Sequence, residues 1–242
     1  DGRFFREDVV RLIESVAPER AHLLIDSCNS FFVIHPRRPG GRAWPTTAAI
    51  TEKQEVPGID VGVFLSTSAE AQVYEGSQLQ SGVFSHAVRS ALMGAADADL
   101  DRRVTYAELD AFVTIAASGI QNAIYRPKLY ARTPRDTDVF LDLAAVADTF
   151  ELRGFDTRVT IRDQRGVRIA DVFPEPGFAP RLLRWPDLDF TVIAEERNSD
   201  GRTLLYETQL DEAGAVSPPL ALATGAPRGV QALFAQYFRV PY

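Results

Sequence analysis

The stretch His22-Leu-Leu-Ile-Asp-Ser-Cys-Asn-Ser30 decides how the chain is read. Three apolar residues end on Asp26, and the single cysteine, Cys28, follows two positions later. A short apolar run bounded by polar residues is the pattern of a buried strand. Just before it, Val9, Val10, Leu12, Ile13 and Val16 recur at helical spacing, which predicts an amphipathic helix. Helix followed closely by apolar strand implies an α/β layer with a parallel sheet. Cys28 is then either a reactive thiol at a strand end or a small buried hydrophobe.

Working outward, "VGVFLSTS" (61–68) predicts a second buried strand, and "SGVFSHAVRSALMG" (81–94) a helix burying Val83, Phe84, Ala87, Val88, Ala91 and Leu92. Thr105 and Glu108 stand as Thr-x-x-Glu at the head of another helical run, a capping-box signature. "RPKLYARTP" (126–134) and "DVFLDLA" (138–144) are expected to close the sheet. Between the two strands, residues 31–58 are rich in Pro, Gly and Arg and lack a period, so they read as a long loop.

Near residue 150 the texture changes. "RVTIRDQRGVRIADV" (158–172) and "LDFTVIAEERNSDGRTLLYETQL" (188–210) predict hairpins, the second turning at Asn198-Ser-Asp-Gly201. The closing run 228–242 predicts a helix with Leu233, Phe234 and Phe238 facing inward. The expected organisation is an α/β domain over 1–150 and a small β-rich domain with a C-terminal helix over 151–242.

Composition narrows the function. The chain has 242 residues and a net charge of −7, which argues against a nucleic-acid-binding surface. No apolar run reaches the ~20 residues of a membrane span. One cysteine excludes an internal disulfide and a zinc site built on several thiolates. The three histidines, His22, His35 and His86, have no metal-ligand spacing to one another. The chain begins with Asp1 and reads as a processed product or a fragment. A soluble protein is expected, cytoplasmic in preference to extracytoplasmic.

Asp26-Ser27-Cys28-Asn29-Ser30-Phe31 resembles the nucleophile segment of the caspase-like cysteine peptidases, especially metacaspases and bacterial relatives, whose usual form is Asp-Ser/Ala-Cys-His-Ser-Gly. Two further blocks in the same order, residues 62–92 and 95–109, resemble the small-subunit region of bacterial members, so the likeness covers about residues 1–145. It implies a caspase-like αβα sandwich with a mostly parallel sheet. It also implies a cysteine endopeptidase in which Cys28 is the nucleophile. Asn29 and Phe31 depart from the family pattern, and they keep open a non-catalytic interaction module of the same fold.

The family's base is a His in a His-Gly turn upstream of the cysteine. None of the three histidines here is followed by Gly, and only 27 residues precede Cys28. The resemblance therefore implies a partner: an upstream fragment of the same precursor carrying the catalytic His. It further implies that Asp26 lines the pocket for the residue before the scissile bond, with Ser66, Ser68 and Glu70 alongside and Glu75 nearby. A carboxylate there pairs with Arg or Lys, so the expected substrates are proteins with basic residues at the cleavage site. The loop residues Arg37, Arg38, Arg42 and Lys53 would then offer sites of self-cleavage, or else merely a solvated loop.

"DADLDRRVTYAE" (97–108) sets Asp97, Asp99, Asp101 and Glu108 at positions 1, 3, 5 and 12 of an EF-hand calcium loop, with the Arg103 carbonyl at position 7. Arg102 stands where the sharp turn favours Gly. The expectation is a weakened calcium site, the alternative a structural connector whose Asp97 and Glu108 act as caps.

Overall fold

The structure is a computed structural model, and it describes residues 6–26, 58–66, 75–76, 81–120, 126–146, 148–185, 189–197, 203–209, 215–216, 221–222 and 238–242. The chain divides into two compact units, Asp1–Gln72 with Pro127–Asp138, and Val73–Arg126 with Val139–Tyr242. Each is mixed or β-rich in its own way, and together they make a mixed α/β protein of few helices and several small sheets.

In the first unit, α1 (Arg6–Val16) ends where Ala17 turns left-handed (φ 48°) and Pro18 bars continuation. β1 (Arg20–Ile25) and β2 (Asp60–Ser66) pair in parallel, with Arg20 opposite Asp60 and Ile25 opposite Leu65. The third strand of this sheet, Leu129–Arg132, runs antiparallel to β2. The buried heart of the sheet is Val63 and Leu65, with Leu23, Ile25, Val61 and Tyr130 packed against them.

The second unit opens with the short pair β3 (Glu75–Gly76) and β4 (Ser81–Gly82), followed by α2 (Val83–Ser90). The helix widens over Ala91–Ala95 and breaks at Gly94, whose φ of 111° suits a residue without Cβ. An acidic loop leads to β5 (Arg103–Thr105) and α3 (Tyr106–Ser118), which buries Tyr106, Leu109, Phe112, Val113, Ala116 and Ala117. With Leu129–Arg132 as β6, the next strand is β7 (Val139–Asp142).

β7 corrects one expectation. It does not join the first sheet but pairs antiparallel with β5, while Leu143 N–H donates to the Arg102 carbonyl at 2.8 Å. The reason is local: β5 carries the fully buried Val104 and offers β7 a backbone edge immediately after the acidic loop.

The β-rich part supplies β8 (Thr149–Leu152), β9 (Val159–Asp163), β10 (Arg168–Val172) and β11 (Arg181–Leu183). It continues through β12 (Phe190–Arg197), β13 (Thr203–Gln209), β14 (Ala215–Val216) and β15 (Ala221–Leu222). Five strands form one antiparallel sheet in the order β10-β9-β12-β13-β15, and three form another in the order β11-β8-β14. Both expected hairpins are present, and the β12–β13 ladder runs from Thr191 opposite Gln209 to Arg197 opposite Thr203. Among the described pairings only β1–β2 and β8–β14 are parallel. Among the described residues the sheets are small, and mixed or antiparallel, with parallel pairing confined to these two ladders.

Helices α2 and α3 belong to the same unit as strands β8 to β15, across the change of texture near residue 150. Phe238 is buried, as its place in the closing run predicts, and its N–H donates to the Ala116 carbonyl at 2.8 Å. Residues 238–242 are not the helix expected there, since Phe238 takes a left-handed φ of 53° that ends any helical run; residues 228–237, with Leu233 and Phe234, lie outside the described residues, as does the loop 31–57 with its four basic residues. No described helix is long and apolar enough to cross a membrane.

Candidate functional site

Two places gather the residues that the sequence singles out. The first is the C-terminal edge of the parallel pair β1–β2. Because Ile25 stands opposite Leu65, Asp26 and Ser66 occupy the same level at that edge. Asp26 is exposed, while Ser66 is buried and faces Leu129 across the β6 ladder. Asp26 and Ser66 thus follow the last pair of the parallel ladder, and the chain reaches Cys28 two residues beyond Asp26. Cys28, Ser68 and Glu70 themselves lie outside the described residues, and so does the Glu75 side chain.

The described histidines are placed as structural groups. His22 sits inside β1 opposite Gly62, and burial, with Arg20 adding to it, lowers its pKa. His86 is 2% exposed and both of its ring nitrogens are occupied. Nε2 donates to Asp171 Oδ2 at 2.6 Å, and the Arg89 guanidinium donates to Nδ1 at 2.9 Å. An imidazole locked between a carboxylate and a guanidinium has no lone pair left for a substrate proton.

That contact belongs to a buried polar cluster the sequence reading does not isolate. Asp171 is fully buried, paired bidentately with Arg168, and accepts the Thr160 hydroxyl at 2.7 Å. Its own N–H donates to Ser90 Oγ at 3.0 Å. Arg168 and Asp171 are three apart on a strand, a spacing that normally sends side chains to opposite faces. The register shift between Arg168 and Ala170 inserts one residue, so Arg168 stands opposite Arg162 and Asp171 opposite Thr160, on one face. The available signal was an Arg and an Asp inside an otherwise apolar strand, which demands a buried partner.

The second place is the acidic loop. Thr105 caps α3: its hydroxyl accepts the Glu108 N–H at 3.2 Å, and Glu108 Oε2 accepts the Thr105 N–H at 2.8 Å. The expected capping box is therefore complete. Glu108 Oε1 also accepts the Ala98 N–H at 3.1 Å, so one carboxylate ties both ends of the loop together.

Within the loop, Asp97, Asp99 and Glu108 each bring a carboxylate oxygen within 4.8 Å of the others. Asp101 does not join them. Its Oδ1 accepts the Arg103 N–H at 2.7 Å, a local turn that keeps it on its own side. Arg103 lies in β5, and its guanidinium approaches Asp142 at 3.9 Å. Arg102 adopts the left-handed φ of 68° that its place in the pattern requires. Asp97 is 1% exposed; Oδ2 accepts the Arg102 N–H at 3.1 Å, and Oδ1 has no hydrogen-bond partner among the described residues. Burial first, then the charges of Glu108, Asp101 and Asp99, push the Asp97 carboxyl up to about 6.

Tyr242 reports the same negative field. Its hydroxyl donates to the Glu108 carbonyl at 3.1 Å and approaches the Ala96 carbonyl at 3.4 Å. Burial, then Glu108, Asp97 and Asp99, hold its phenol well above the usual range.

Compared with family models, curated proteins and solved structures, the chain finds no match in any of the three.

Proposed function

We propose that the chain is the nucleophile-bearing part of a caspase-like cysteine endopeptidase that cleaves after Arg or Lys. The observation that supports this reading is the parallel pairing of β1 and β2, whose last pair, Ile25 and Leu65, is followed directly by Asp26 and Ser66, with the only cysteine two residues beyond Asp26. Ligand sites in open α/β sheets lie beyond the carboxyl ends of the strands. The finer expectation of a caspase-like sandwich over residues 1–150 rests on the three motif blocks and belongs to the same proposal.

In this reading the Cys28 thiolate attacks the scissile carbonyl, and backbone N–H groups near it hold the oxyanion. The leaving amine takes a proton from an imidazolium, and water then releases the acyl group from the sulfur. His86 cannot serve, since both of its nitrogens are engaged, and the base would come from an upstream fragment of the same precursor. Asp26, with Ser66, Ser68 and Glu70, would receive the basic side chain of the substrate.

The test is an intact-mass spectrum of the full-length natural protein after exposure to an arginine-directed covalent peptide inhibitor. An adduct on Cys28, lost in Cys28→Ala and not formed by the aspartate-directed analogue, supports the reading. A folded protein that gains no adduct overturns it in favour of a non-catalytic module of the same fold, the alternative that Asn29 and Phe31 keep open.

A further inference from the structure

Independently of the peptidase chemistry, we propose that the loop from Asp97 to Glu108 is a calcium site, with Asp97, Asp99 and Glu108 as its carboxylate ligands. Three observations converge. One oxygen from each of the three carboxylates lies within 4.8 Å of the others, a separation that a single ion coordinated by all three can span. Glu108 is fixed at both ends of the loop, by Ala98 N–H and by Thr105, so the twelfth position is already folded back against the first.

The third observation is independent of the clustering. Asp97 is 1% exposed, and its Oδ1 is buried without a partner among the described residues. A buried carboxylate oxygen with no donor costs free energy on the order of 1–3 kcal/mol or more, and native structures rarely leave one so. No described side-chain donor reaches that oxygen. A divalent cation held between it, Asp99 and Glu108 removes the deficit and the mutual repulsion together.

The donor set selects the ion. All-oxygen ligands on a loop of adaptable geometry suit calcium, whereas magnesium demands a tight octahedron and keeps its waters. Three converging carboxylates, with Asp101 turned away and Arg102 and Arg103 adding positive charge, place the affinity in the weak range of roughly 10⁻⁴–10⁻³ M.

The experiment uses the whole chain. Thermal melts are recorded at neutral pH with calcium or magnesium up to about 10 mM, well above that weak range. In parallel, terbium luminescence sensitised by Tyr242, whose hydroxyl touches both ends of the loop, reports occupancy directly. Calcium should raise the melting temperature and displace terbium, and Asp97→Asn should weaken both responses at least about tenfold while still folding, through loss of a ligand charge. Asp99→Asn should behave likewise, and it leaves the buried position untouched. The assignment is overturned by no calcium response in the folded wild-type chain, by an undiminished response in both variants, or by an equal response to magnesium. None of these results depends on Cys28.

Discussion

His86 donates from Nε2 to Asp171 Oδ2 at 2.6 Å, joining the middle of α2 to the β10 strand 85 residues later in the sequence. Around this bond, Arg89 reaches the carbonyls of Ile169 at 2.7 Å and Arg168 at 2.6 Å. Helix and hairpin are therefore fastened by polar groups as well as by apolar packing, and each polar group depends on its neighbours.

Asp171 should be among the most sensitive positions in the chain. Burial acts to raise its pKa, but the Arg168 charge and the His86 hydrogen bond outweigh it and hold the carboxyl well below the usual range. Asp171→Ala would take away the carboxylate that pairs with Arg168, in a site where Arg168 is itself largely buried. The expected loss is about 3–5 kcal/mol of unfolding free energy, measured by denaturant titration. Asp171→Asn, which keeps the shape, should lose less but still destabilise.

His86 gives stability a pH dependence of known sign. Burial, with Arg168 and Arg89 adding to it, lowers its pKa from 6.5. The folded state therefore keeps the ring neutral while the unfolded chain takes up a proton below 6.5. This contribution is present above that value and is lost as the pH falls below it. The stability difference between wild type and His86→Gln should shrink from pH 8 to pH 5 by up to about 2 kcal/mol.

Asp97 acts in the opposite sense. Its folded pKa is raised from 3.8 to about 6, so protonation favours the folded state. The benefit is fully present below about 4 and disappears as the pH rises through 6. In a calcium-free buffer at pH 7.5, Asp97→Asn should raise stability by about 1–2 kcal/mol, and at pH 4 the gain should vanish. Thermal unfolding at the two pH values checks this, and equal effects at both would contradict the placement of Asp97.

Gly94 tests how closely backbone packs on backbone. A Cβ there would lie 2.2 Å from the Arg181 carbonyl oxygen, and its φ of 111° is one that side chains rarely adopt. Gly94→Ala should cost about 3 kcal/mol or more, because neither clash nor strain can be relieved by a side chain moving. Gly166→Ala is the control: φ is 77° but a Cβ meets nothing within 4 Å, so only the left-handed penalty of about 1–2 kcal/mol is expected.

Much of the local structure was legible in the residues themselves. Helix α1, strands β1 and β2, the two hairpins and the Thr105–Glu108 capping box follow from periodicity and from pairs a few positions apart. Such features are set by near neighbours, and near neighbours are what a sequence displays. The spacing of Asp97, Asp99 and Glu108 was legible for the same reason, since a loop of twelve residues can only close in a few ways.

The tertiary structure decided which of these elements meet. It paired β7 with β5 and not with β2, because the buried Val104 gave β5 an edge to complete. It buried His86 against Asp171, and it placed Arg168 beside Asp171 through one extra residue in a strand. It also gave Asp101 a turn of its own with Arg103 and left Asp97 Oδ1 buried without a donor among the described residues. Strand alternation and loop spacing determine what a residue can face locally. Burial depends on what arrives from 80 or more residues away, and only the assembled unit fixes that.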